Sequence, residues 1–242
     1  MSLAEPVQTG KRNEYPFVSG HSRAQWVAVL LLVVIIVTII SVVSDSMQIQ
    51  LLSRAQAGLS ISEAEAIAND SRQAAIGYIY FTVFVFTAIA FCVWIHRAHR
   101  NLPALGNRDL KYSPGWAVGA FFVPILSLFR PYQITKEIWK ASDPYIGTGG
   151  KDWQDAPVSP LIIWWWITFL ISSYAGYISL RMSLSAKTID DFLSLSFVTL
   201  TTDIVDILAA ILAIALVRAI DRRQEMKNQQ IVYTSNAQNE LT

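Results

Sequence analysis

The sequence predicts an all-α, polytopic membrane protein, and three observations carry that expectation. Apolar residues make up 53% of the 242-residue chain and charged residues only 15%, against about 25% charged in soluble domains. The apolar residues fall into four blocks of about 20 residues, each ~30 Å long as a helix, which matches the hydrocarbon thickness of a bilayer. Lysine and arginine gather at the block ends that face one side. The formal net charge of +1 gives no global polybasic signal, so nucleic acid is not an expected partner. The single cysteine, Cys92, rules out an intramolecular disulfide and a four-cysteine zinc site.

Residues 1–24 form a polar tail with Pro6, Gly10, Pro16 and Gly20. The first span covers 25–44 and is expected to be retained: it is too long for a signal-peptide core and lacks a small-x-small cleavage site. Ser60-x-x-Glu63 reads as a capping box opening a short helix outside the membrane, from Ser62 to Gln73. The second span covers 74–95 and ends in His96-Arg97-Ala98-His99-Arg100. The third and fourth cover 161–180 and 198–217. Residues 25–220 thus form one membrane domain, followed by a polar tail, 221–242.

Residues 113–142 are read as a membrane-dipping element and an interfacial helix. Ser113-Pro114 is an N-cap followed by proline at the first helical position. The apolar run Trp116–Phe129 is interrupted by Pro124, so it is expected to break and turn back, with Trp116, Phe121 and Phe122 against other helices. Pro131 opens an amphipathic stretch with Ile134, Ile138 and Ala141 on one side. Gln133, Lys136, Glu137 and Lys140 lie on the other, a pattern suited to a helix in the interface plane.

Charge sets the expected topology. If 113–129 dips and returns, fifteen of the nineteen lysines and arginines share one side; if it crosses, the split is nine to ten. The positive-inside rule selects the first, with both termini cytoplasmic in the plasma membrane. All eight tryptophans then lie near the cytoplasmic boundary, and Trp164-Trp165-Trp166 reads as an interface anchor.

The stretch from Trp94 to Trp139 is the most distinctive. It contains Trp94-x-x-Arg97-x-x-x-Asn101, Ser113-Pro114-Gly115-Trp116, Val123-Pro124-Ile125 and Arg130-Pro131-Tyr132-Gln133, with Arg218 and Arg223-Gln224 after the last span. In this series the chain resembles the bacterial membrane-protein family called domain of unknown function 4328, over roughly residues 75–227. Ala120-Phe121-Phe122 and Ser127-Leu128-Phe129 depart mildly from the family's pattern. The resemblance implies the fold, with Trp94, Trp116, Pro124 and Pro131 as structural motif residues. It implies no activity, substrate or cofactor.

The candidate functional residues are Asp203, Asp206, Arg97 and Asn101. Carboxylates within a span are costly, at least ~2.5 kcal/mol each on insertion scales, and so invite a functional hypothesis. Asp203 and Asp206 share a helix face with Ala210 and Ala213. Ser172, Gly176 and Ser179 form a matching stripe, with Tyr174 and Tyr177 nearby. One reading is a proton or cation site; the other is a pair of structural acids bonded to those hydroxyls. His21, His96 and His99 lie at one boundary, but no fixed third ligand accompanies His96-x-x-His99, so no metal is expected. Gly147-Thr148-Gly149-Gly150-Lys151 lacks the Walker spacing, and there is no Gly-x-Ser-x-Gly or His-Glu-x-x-His. No cofactor is expected. Basic residues at 97–111 and 218–227 suit anionic lipid headgroups, and ordinary topology explains them equally well.

The leading expectation is a non-enzymatic membrane component that assembles with protein or lipid partners, or with copies of itself. The runner-up is a small proton, cation or solute transport protein using Asp203 and Asp206. A membrane enzyme with its site in 94–140, probed by Arg97 and Asn101, stands third. The topology has a direct test. With Cys92 replaced by serine, a cysteine at position 55 should react with an impermeant thiol reagent on intact cells, whereas cysteines at 145 and 235 should react only after permeabilisation.

Overall fold

The computed structural model describes residues 16–146 and 152–239. Six α-helices account for most of it: α1 (His21–Gln56), α2 (Glu63–Arg100), α3 (Pro114–Gly119), α4 (Arg130–Ala141), α5 (Pro160–Ser185) and α6 (Ile189–Asn239). No strand occurs among the described residues. α1, α2, α5 and α6 are long and apolar enough to span a membrane. The glycine-rich run 147–151 lies outside the described residues.

The helices outrun the apolar blocks that predict them. α1 continues twelve residues past its expected end at 44. α2 begins at Glu63, so the short outer helix and the second span are one rod. Its capping box is Ser62 with Glu65, two residues on from the expected pair: Ser62 Oγ accepts from the Glu65 amide at 3.2 Å and Glu65 Oε2 accepts from the Ser62 amide at 3.1 Å. The Ser62 amide is also the main reason the Glu65 carboxyl lies below the usual range. α6 runs through Asn239, so the polar tail after 220 is helical as far as that residue.

Three polar contacts fix α1 antiparallel to α6 along its whole length: His21 to Asp221, Gln48 to Ser196 and Gln56 to Asp190. α2 returns along α1, with Arg72 donating to Ser44 and Gln73 to Asp45. α2 and α6 are parallel and share one register. Tyr80 pairs with Asp206 and the Ala98 carbonyl with Gln224, eighteen residues apart in each helix. Eighteen residues at 1.5 Å rise put about 27 Å between these two levels, close to the apolar thickness of a bilayer. Both described ends of the chain lie on the Gln224 side, here called the terminal end.

The buried core sits at that end. Trp94, Ile95, Leu102, Ala117, Ala120, Ile134, Ile138, Ile162, Trp165, Trp166, Leu216 and Ile220 form one cluster. α3 and α4 supply part of it, which explains how four helices with small loops enclose a core. α3 starts as expected, with Ser113 as N-cap and Pro114 next, and stops at Gly119. Phe121 then wedges between α2 and α5, edge-on to Phe91, Trp166 and Phe169. The chain turns back there instead of crossing. Leu126 N donates to Pro124 O at 2.7 Å, closing a γ-turn around Ile125, whose φ is +66°.

Three expectations are corrected in this region. Trp116 and Phe122 are 49% and 72% exposed, so of the three aromatics only Phe121 is the wedge. The apolar side of α4 (Ile134, Ile138, Ala141) is fully buried against protein, not laid on lipid, and Glu137 is buried with it. Trp165 and Trp166 are core residues, with Trp166 Nε1 donating to Leu128 O at 3.0 Å; only Trp164 remains outward as an anchor. A β-branched residue at positive φ stores roughly 1–3 kcal/mol of strain, and the Ile125 side chain is exposed. Ile125→Gly should therefore leave the thermal midpoint in detergent unchanged or raise it; a lower midpoint would show that the Ile125 side chain contributes more than the strain costs.

Candidate functional site

Two polar assemblies lie inside the bundle, one at each register level. At the terminal end, Asn101 caps α2 and is buried. Its Nδ2 donates to Val18 O at 3.0 Å and to Gln224 Oε1 at 3.3 Å, while its Oδ1 accepts from the Val18 amide. Arg97 Nε donates to the same Val18 carbonyl at 3.3 Å. The two residues singled out after Trp94 thus clamp the segment before α1 to the end of α2. Trp94 itself is a core side chain, and Pro131 is buried in the first turn of α4.

Gln224 extends the clamp. Its Nε2 donates to Ala98 O at 2.8 Å and to Ser142 Oγ at 3.1 Å. One turn on, Lys227 Nζ donates to Asn107 Oδ1 and Ala141 O, and burial pushes its ammonium down to about 8. Arg223 reaches Asp143 at 2.6 Å and lies over the Trp139 ring at 4.3 Å. Beside it, Glu137 accepts from the amides of Lys111 and Tyr112 and pairs with His99 Nε2 at 3.0 Å. The other ring nitrogen of His99, Nδ1, is buried without a hydrogen-bond partner among the described residues. His99 and Glu137 are both sealed from solvent.

At the other level, Asp206 accepts from Tyr80 at 2.9 Å and from Ser172. Ser172 was expected as a partner; Tyr80 was not, because it lies on α2 and no spacing rule connects it to α6. Tyr174 and Tyr177 point outward and take no part. Asp203 is buried beside Ser41 and Asp45 of α1, and its Oδ2 has no partner. Both acids therefore face the bundle interior, and Ala210 and Ala213 on their face are buried as well.

The three histidines do not meet. His21 pairs with Asp221 at 2.8 Å, His99 with Glu137, and His96 lines a separate cleft. Among the described residues no group of three or more His, Cys, Asp or Glu side chains is placed to hold a metal.

The fold and its buried polar brackets define a class: a polytopic helical membrane protein with one end closed by a re-entrant segment and a helical extension. The chain belongs to the family described as Domain of unknown function (DUF4328), whose model matches residues 57–222. That match starts 18 residues before the stretch in which the sequence motifs show the resemblance. It leaves out α1, and with it Val18, the partner of the motif residue Asn101. No curated protein and no solved structure matches the chain.

Removing a partner from a sealed network costs about 1–3 kcal/mol for each donor or acceptor left unpaired. Asn101→Ala strands the Val18 amide, so it should lower the thermal midpoint in detergent by several degrees. Asn236→Ala, at an exposed position of the α6 extension, should not.

Proposed function

We propose that this protein is a non-enzymatic component of the plasma membrane, with both termini cytoplasmic, that assembles with protein or lipid partners. One observation carries this reading. The polar residues that make the Trp94–Trp139 stretch and α6 distinctive are spent on holding the terminal end together, through Asn101, Glu137, Gln224 and Lys227. What they build is a rigid face instead of an open reactive constellation. An enzyme with its site in 94–140 has less support, because Asn101 is buried and Arg97 Nε is bonded to Val18 O, both in the clamp, and the His99–Glu137 pair is enclosed.

A photo-crosslinking amino acid at Gln133 or Tyr145, both exposed on this face, should give a discrete adduct of reproducible mass in native membranes. Its absence at both positions would count against protein assembly.

A second reading, proton or cation transport through Asp203 and Asp206, is favoured by the unpartnered Asp203 Oδ2 within the bundle. The assembly reading treats the pair as structural. On that view wild-type proteoliposomes carry no proton, sodium or potassium flux. Asp203→Asn with Asp206→Asn keeps the fold and shifts the midpoint modestly, since interhelical hydrogen bonds in membranes average only ~0.6 kcal/mol. Flux in the wild type that disappears in the double variant would establish transport instead.

A further inference from the structure

At the terminal end an open cleft of about 370 Å³ is lined by Arg23 of α1, by Cys92, Val93, His96, Arg97 and Arg100 of α2, and by Val118 of α3. Val93, Arg97 and Arg100 follow the i, i+4, i+7 spacing, so they stack along one face of α2. Among the described residues, none that lines the cleft is acidic. Arg23 and Arg100 are close enough to Arg97 to repel its charge. Arg97 is held by its Nε bond to Val18 O, yet one of its terminal nitrogens, Nη2, is buried with no protein partner. A buried guanidinium donor left unpaired is costly, and a second and third arginine beside it raise that cost. An anion would remove both.

The cleft is also polarised along the bundle axis. Arg97 and Arg100 occupy the end of α2 and Arg23 the first turn of α1, where the helices leave the apolar layer, and Cys92, Val93 and Val118 continue the cleft toward the hydrocarbon. Val93 is exposed there. A soluble phosphate would use the arginines and leave that apolar floor bare. A lipid phosphate would engage the arginines and lay its acyl chain along Val93 and Val118.

We propose that this cleft is a binding site for the phosphate headgroup of an anionic phospholipid, with Arg97 as the central ligand and Arg23 and Arg100 flanking it. The proposal rests on the assembly reading and deepens it by naming a lipid partner. The two fail separately, because the crosslinks at Gln133 and Tyr145 report on protein partners and leave this cleft untouched.

The test is native mass spectrometry of the full-length protein in detergent, titrated with phosphatidylglycerol, cardiolipin or phosphatidylcholine. The anionic lipids should be retained preferentially. Removing each cleft arginine should weaken that retention roughly fivefold, so Arg97→Gln with Arg100→Gln weakens it about 25-fold. Arg23→Gln does not disturb the Asn101 clamp, so its expected fivefold loss stands even if the double variant folds poorly. Arg218→Gln with Arg222→Gln, on the basic flank outside the cleft, should change retention little. Equal retention of phosphatidylcholine would overturn the proposal, as would equal loss in the flank variant. Displacement of the lipid by millimolar inorganic phosphate would overturn the lipid assignment by showing that the headgroup alone accounts for binding.

Discussion

The bond between Asn101 and Gln224 is the constraint on which the rest of the terminal end depends. Both side chains are buried, and a buried amide must place its donors and its acceptor within the protein. Asn101 does so by taking hold of Val18, and Gln224 by taking hold of Ala98 and Ser142. Four parts of the chain, distant in sequence, are thereby held at fixed depth: the lead into α1, the end of α2, the end of α4 and the extension of α6. The core cluster of tryptophans and isoleucines packs against this frame. In a bilayer, apolar packing gives helices little reason to prefer one register over another, because lipid tails compete for the same surface. Directional polar bonds at both ends of the apolar layer supply the register that packing alone does not.

That layer is correspondingly loose away from the terminal end. Along α2, Tyr78, Phe81, Phe86 and Ile89 all point outward, and Asp206 is tied to Tyr80 and Ser172 without a tight small-residue seam beneath it. A Cβ built at Gly176 meets nothing within 4 Å. Of the expected stripe of Ser172, Gly176 and Ser179, Ser172 is the residue that donates a hydrogen bond to the acidic face, at Asp206.

Much of this was legible in the sequence. Apolar block length places the four spanning helices, Ser113-Pro114 places the start of α3, and Pro124 places its reversal. Those signals are local, and local signals fail where a side chain's role is decided by a distant neighbour. Glu137 reads as a solvated residue on an amphipathic helix, because its partners at 99, 111 and 112 are invisible to helical periodicity. Asp221, Gln224 and Lys227 recur at three-residue spacing, but a polar stripe after the last span looks like any soluble tail. Arg97 and Asn101 were picked out by a motif, while the cleft that Arg97 shares with Arg23 required two helices to be placed side by side.

The antiparallel contact of α1 with α6 has a bearing on biogenesis. His21 meets Asp221 across 200 residues of chain, so the first of the described helices to be made closes against the last. Until α6 is made, α1 has only α2 beside it, the Val18 segment lacks the Gln224 end of its bracket, and buried polar groups such as Asn69 and Asp45 stand in an unfinished bundle. Chain segments that must wait for a late partner are the ones exposed to quality control during synthesis. For these helices the period of vulnerability spans the synthesis of everything from α1 to α6, and it ends only when the α6 extension docks.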